Sequence, residues 1–140
     1  ARAEVRRRAA PAGQTAGAGG GPGRIRLVDS RAAERYRGEV EPLDPVAGHI
    51  PGAVNLPWTE ILDAHGRLKP RAALAEQFAA IGPDGDAVVY CGSGVTACAN
   101  LLAMDEAGLS GPRLYPGSWS DWCSYPDSPV ATGPEEGRKT

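Results

Sequence analysis

The residues best suited to chemistry lie together in Cys91-Gly92-Ser93-Gly94-Val95-Thr96. An apolar run, 87–90, leads into Cys91, and a helical pattern begins near Val95. Two of the three residues after the cysteine are glycines, which lets the backbone curl tightly. A strand, a tight loop and a helix start in that order direct successive N–H groups at one point, an anion nest. A thiol at the lip of such a nest loses its proton more readily and becomes a nucleophile at neutral pH. The nest would also hold a second negative group bonded to the sulfur. A persulfide fits that description, and so does a thiophosphate ester.

The far end of the loop separates those two outcomes. Cysteine phosphatases clamp phosphate oxygens with a guanidinium six positions after the cysteine. That position is Ala97, and the loop has neither Arg nor Lys. A small, singly charged group such as sulfane sulfur suits it better than phosphate.

An α/β domain is expected to position this loop. Short strands are predicted at residues 25–28, 53–55, 87–90 and 113–115. Helical patterns are predicted at 31–37, through 62 after Trp58, at 72–81, at 95–107 and at 117–124. Ser30 is the expected N-cap of the first helix, and Gly82-Pro83 closes the third. The alternation implies a central parallel sheet with helices on both faces. Its carboxyl edge, where Cys91 sits, is where open α/β sheets bind ligands.

The chain has 140 residues, one domain's worth, and 41% of them are hydrophobic. No run of about 18 apolar residues suggests a membrane span, and no secretory leader is visible. Residues 1–23 are read as a flexible linker or interdomain remnant, because 9–23 are rich in Gly, Ala and Pro. The ordered domain is placed at 24–132 and a disordered tail at 133–140. Net charge is −2, and the first 24 residues hold five arginines against one glutamate. The domain proper is therefore acidic, which argues against nucleic acid as a partner. Arg6, Arg7 and Arg8 read as a solvated stretch. Three cysteines without paired Cys/His spacing argue against a disulfide framework and against a zinc site. They favour a reducing compartment, the cytoplasm.

The segment CGSGVTA resembles the active-site loop of the thiosulfate and 3-mercaptopyruvate sulfurtransferases of the rhodanese superfamily. Its Gly-Ser-Gly is the mercaptopyruvate form, whereas thiosulfate-type loops carry basic residues. LVDSR, the Arg-Tyr of ERYRG, GHIPGAVNLPW and LYPGSWSDW resemble further blocks of the C-terminal catalytic rhodanese domain of tandem proteins, in order. The resemblance implies a rhodanese-like fold and a ping-pong reaction through a Cys91 persulfide. It implies that the amides of Gly92, Ser93, Gly94, Val95 and Thr96 hold the persulfide, with the Ser93 and Thr96 hydroxyls as extra donors. Arg35 falls on the arginine that binds the anionic end of the donor. Asp29 and Arg31 match a buried structural pair, and His49 matches a histidine that braces a turn.

The implied partners are a small anionic sulfur donor and an acceptor that is a thiol, cyanide or a thioredoxin-like protein. An N-terminal rhodanese domain is a further implied partner; no cofactor or metal is implied. Two features depart from the mercaptopyruvate pattern. The loop EVEPLDPVAGH has no second substrate arginine and is acidic. The Asp and His that the family draws from a preceding domain lie outside this chain. Cys98, Cys123, Trp58, Trp119 and Trp122 read as packing residues, and His65 as solvated. Two other readings stay open: a non-catalytic regulatory or binding rhodanese module, and a cysteine phosphatase or arsenate-reductase-like enzyme.

Overall fold

Successive residues of the two longest strands enter two different apolar cores. In β1 (Arg26–Asp29) and β3 (Ala87–Tyr90), Leu27, Val88 and Tyr90 face one way, and Val28, Ala87 and Val89 face the other. A strand covered on both sides has no polar face to show, so β3 reads as an unbroken apolar run. The computed structural model describes Val5 and residues 25–81 and 86–134.

The sheet has four parallel strands in the order β2-β1-β3-β4, where β2 is Val54–Asn55 and β4 is Arg113–Leu114. One face carries α2 (Arg71–Gln77), its short 3₁₀ continuation (Phe78–Ile81) and α3 (Ala97–Glu106). Leu74, Phe78 and Met104 fill that core. The other face carries α1 (Ala33–Arg37) and α4 (Ser118–Trp122), with Tyr36, Trp119 and Trp122 packed on Tyr90 and Val88. Val5 is buried in this second core, so the linker reading of 1–23 fails at that position. The rest of that segment, Gly82-Pro83 and residues 135–140 lie outside the described residues. Among the described residues no helix is long and apolar enough to cross a membrane.

Several boundaries differ from the sequence reading. Ser30 is not an N-cap: α1 begins after Ala32 and has no side-chain cap. Ser30 is instead buried, and its Oγ accepts a hydrogen bond from Asn100 Nδ2 at 2.9 Å. Sequence position next to a helix cannot show that a distant amide competes for the hydroxyl. The regular part of α3 starts at Ala97 rather than Val95. Residues 95 and 96 form a tighter turn, in which the N–H groups of Cys98 and Ala99 bond the carbonyls of Val95 and Thr96. The first strand is shifted by one residue, to Arg26–Asp29.

The ends of the acidic segment 39–47 are anchored. Arg31 is buried, pairs with Asp29 at 2.7 Å and donates to the Gly48 carbonyl at 2.6 Å. Its guanidinium also lies 4.8 Å from the Trp119 ring centre, a cation–π contact. His49 stacks on Tyr36 and bonds the Tyr36 carbonyl through Nδ1 at 2.7 Å. Its backbone pairs with Ala131, which ties the C-terminal stretch to this loop.

Candidate active site

Cys91 is the first residue past β3 and is almost wholly covered. Burial pushes its thiol pKa up. The Thr96 hydroxyl and the N–H groups of Ala97, Ser93 and Gly94 push it down, and together they win, so the thiol sits below its ordinary value. The Gly94 N–H lies 3.0 Å from Sγ. The groups acting on the sulfur thus come from the loop and from the start of the helix after it, a set that overlaps the expected amides at Ser93 and Gly94. Ala97 enters it as the first residue of α3, through its backbone N–H, one of the donors that a helix start leaves without an internal partner.

Gly94 has to be glycine. Its φ is +92°, and a Cβ there would stand 2.5 Å from the Pro116 carbonyl oxygen. The Gly94 carbonyl accepts from the Cys98 thiol at 3.3 Å, so Cys98 supports the loop from the first turn of α3. Ser93 and Val95 are exposed, with Val95 73% accessible beside the sulfur loop. The N–H of Ser93 acts on the thiol, while the Val95 carbonyl begins the turn into α3.

Helix α4 holds the loop from the other side. The N–H groups of Trp119 and Ser120, at its free N-terminal end, donate to the carbonyls of Cys91 and Gly92 at 3.0 and 2.9 Å. Ser118 Oγ accepts the Cys91 N–H at 3.1 Å and donates to the Tyr115 carbonyl at 2.9 Å. Ser118 has φ +55°, a left-handed conformation that costs a non-glycine residue about 1 kcal/mol or more. That strain aims its hydroxyl at Cys91. The sequence reading treated GSW only as part of a matching block and missed this role. A serine in the left-handed region has no local sequence signal.

Arg35, on α1, lies against the loop. A Cβ on Gly92 would stand 3.3 Å from Nη2 of Arg35, so the guanidinium lies directly against the Gly92 backbone. The guanidinium is not bare. Glu41 takes both Nε and Nη2, at 3.1 and 2.6 Å to Oε1, and Asp44 lies 3.6 Å from Nη2. Both carboxylates come from the acidic loop before Gly48, and neither was singled out as a site residue from the sequence.

Residues 16–125 match the family model of the rhodanese-like domain. The chain belongs to the rhodanese-like family. It is 54% identical over 117 residues to a Pseudomonas aeruginosa protein named "Probable 3-mercaptopyruvate sulfurtransferase", covering 81% of this chain and 41% of that one. It is 34% identical over 119 residues to the thiosulfate sulfurtransferase of Corynebacterium glutamicum, covering 79% and 40%. The solved 3-mercaptopyruvate sulfurtransferase of Leishmania major superposes with a TM-score of 0.61 at 35% identity, covering 74% of this chain and 30% of that one. The chain thus spans about two-fifths of the length of these curated relatives. The parallel sheet with helices on both faces is the rhodanese-like α/β fold expected from the sequence.

Proposed function

We propose that this rhodanese-like domain is a sulfurtransferase that moves sulfane sulfur from a small anionic donor to a thiophilic acceptor through a persulfide on Cys91. The observation that carries the reading is the covered Cys91 sulfur, whose thiol is lowered by the Thr96 hydroxyl and three backbone N–H groups in spite of burial. These groups stabilise a thiolate before transfer and the outer sulfur of a persulfide after it. With thiosulfate, the thiolate attacks the outer sulfur, the S–S bond breaks and sulfite leaves with the electron pair. With 3-mercaptopyruvate, the C–S bond breaks and the enolate of pyruvate leaves, taking up the proton of the donor thiol. An acceptor thiolate, cyanide or a thioredoxin-like protein then attacks the outer sulfur and releases Cys91 as thiolate. The Gly92, Ser93, Gly94, Val95 and Thr96 amides are the proposed persulfide cradle, joined by that of Ala97, and Arg35 is the proposed contact for the donor anion.

Phosphoryl transfer lacks support at the decisive position, since residue 97 contributes a backbone N–H and no guanidinium. Curated relatives more than twice as long support pairing with an N-terminal rhodanese domain. Three free cysteines support a reducing, cytoplasmic setting. Intact-mass spectrometry after exposure to each donor tests the reading. A gain of one sulfur is expected, removed by cyanide and abolished in Cys91→Ser. Equal gain in Cys91→Ser would refute the assignment.

A further inference from the structure

We propose, on the basis of the sulfurtransferase reading above, that Glu41 and Asp44 are specificity-determining residues that disfavour doubly charged donors at the Arg35 anion site. The guanidinium next to Gly92 is the cation placed to meet a donor at Cys91. Two of its three nitrogens are already engaged by Glu41. Asp44 adds a second carboxylate at 3.6 Å. Both carboxylate side chains are more deeply covered than the arginine: 5% and 10% accessible against 19%. Water therefore screens them poorly, and their field reaches the donor.

Asp44 is also fixed to the catalytic loop. Its Oδ1 accepts from Ser120 Oγ at 2.7 Å, and the Ser120 N–H bonds the Gly92 carbonyl at 2.9 Å. Its Oδ2 is buried without a hydrogen bond. The nearby Arg31 does not restore the balance, because Asp29 holds it by a bidentate pair, leaving Glu41 a 3.8 Å contact. Arg37 is committed to Glu39. The negative field is felt by Cys123, whose thiol is raised by burial and then by the charges of Asp44 and Glu41.

Among the described residues, one guanidinium facing two carboxylates leaves the donor's approach with a net charge of −1. Each negative charge on the donor then meets the same repulsion, so a dianion such as thiosulfate is penalised about twice as much, in free energy, as a monoanion such as 3-mercaptopyruvate. The acidic loop acts here as a charge filter.

The test is the initial rate of sulfur loading on Cys91 in the full chain, with thiosulfate and with 3-mercaptopyruvate, at low ionic strength. Glu41→Gln and Asp44→Asn remove one charge each, and the asparagine can still accept from Ser120. Each is expected to raise the thiosulfate-to-mercaptopyruvate rate ratio about tenfold. Glu39→Gln, on the exposed side of the same loop, should leave the ratio unchanged. Added salt should narrow the gap between wild type and Asp44→Asn. Loading that proceeds with the wild-type ratio in both Glu41→Gln and Asp44→Asn overturns the inference while leaving the sulfurtransferase reading intact. Should Glu41→Gln fail to fold, Asp44→Asn alone decides. No loading of the wild type by either donor overturns the sulfurtransferase reading, and the inference falls with it.

Discussion

Replacing Thr96 by Val would separate the two opposing influences on Cys91. The Thr96 hydroxyl is the one side chain among the groups that pull the thiol down; Ala97, Ser93 and Gly94 act through backbone N–H. Valine keeps the β-branched shape and deletes the O–H donor. A hydrogen bond to a charged group contributes about 1.5–3 kcal/mol, and about 1.4 kcal/mol corresponds to one pH unit in a titration midpoint. Thr96→Val should therefore move the Cys91 titration up by about one pH unit or more. The assay is the iodoacetamide alkylation rate against pH, in a Cys98→Ser, Cys123→Ser background. In the parent the rate rises through the lowered thiol pKa and levels off above it. In Thr96→Val the curve moves to higher pH, and the rate near pH 7 falls about tenfold. The sign extends to stability. A thiol whose folded pKa is depressed adds stability that is fully present above its unfolded pKa and is lost as pH falls through the folded one. Thr96→Val should thus lose stability at alkaline pH and little at acid pH. Superimposable alkylation profiles would refute the claim that the hydroxyl holds the sulfur.

Other substitutions probe the support of the loop. Gly94→Ala must place a Cβ 2.5 Å from a backbone oxygen at φ +92°, so about 1–3 kcal/mol of stability should be lost in urea titrations, with sulfur loading reduced further. Ser118→Ala leaves the buried Cys91 N–H without its acceptor at about 1–3 kcal/mol, whereas Ser118→Gly relieves the left-handed strain and should recover part of that loss. Asp29→Asn strands the buried Arg31 charge, and the midpoint of chemical unfolding should drop by the equivalent of about 3–5 kcal/mol. Wild-type stability in that variant would mean the pair is not the anchor of the 39–47 loop.

What could be read in advance follows from how local each signal is. The strand into Cys91, the glycines after it and the helix beyond are contiguous, and their order alone implies converging N–H groups. The doubly covered strand at 87–90 is likewise visible as an apolar run, and it implies helices on both faces. Ser30 misled because its partner, Asn100, is seventy residues away. Ala97 was judged by the side chain it lacks, although its contribution comes from a backbone position that depends on where α3 begins.

Ser118 and the carboxylates at 41 and 44 belong to a third kind, where the residue types are visible but their direction is not. The acidic character of residues 39–44 was plain and could be taken only as the lack of a second arginine. Once α1 places Arg35 over Gly92 and Gly48 is tied to Arg31, the loop between them has few ways to run. It returns its carboxylates to the guanidinium, and Ser120 on α4 catches Asp44. The charge at the mouth is thus set by three segments: α1 supplies the cation, the acidic loop directly after it supplies two carboxylates that outweigh it, and α4, far along the chain, fixes both Asp44 and the Cys91 backbone. Removing the charge of Glu41 or Asp44 should therefore alter donor preference while leaving the groups that surround the Cys91 sulfur in place.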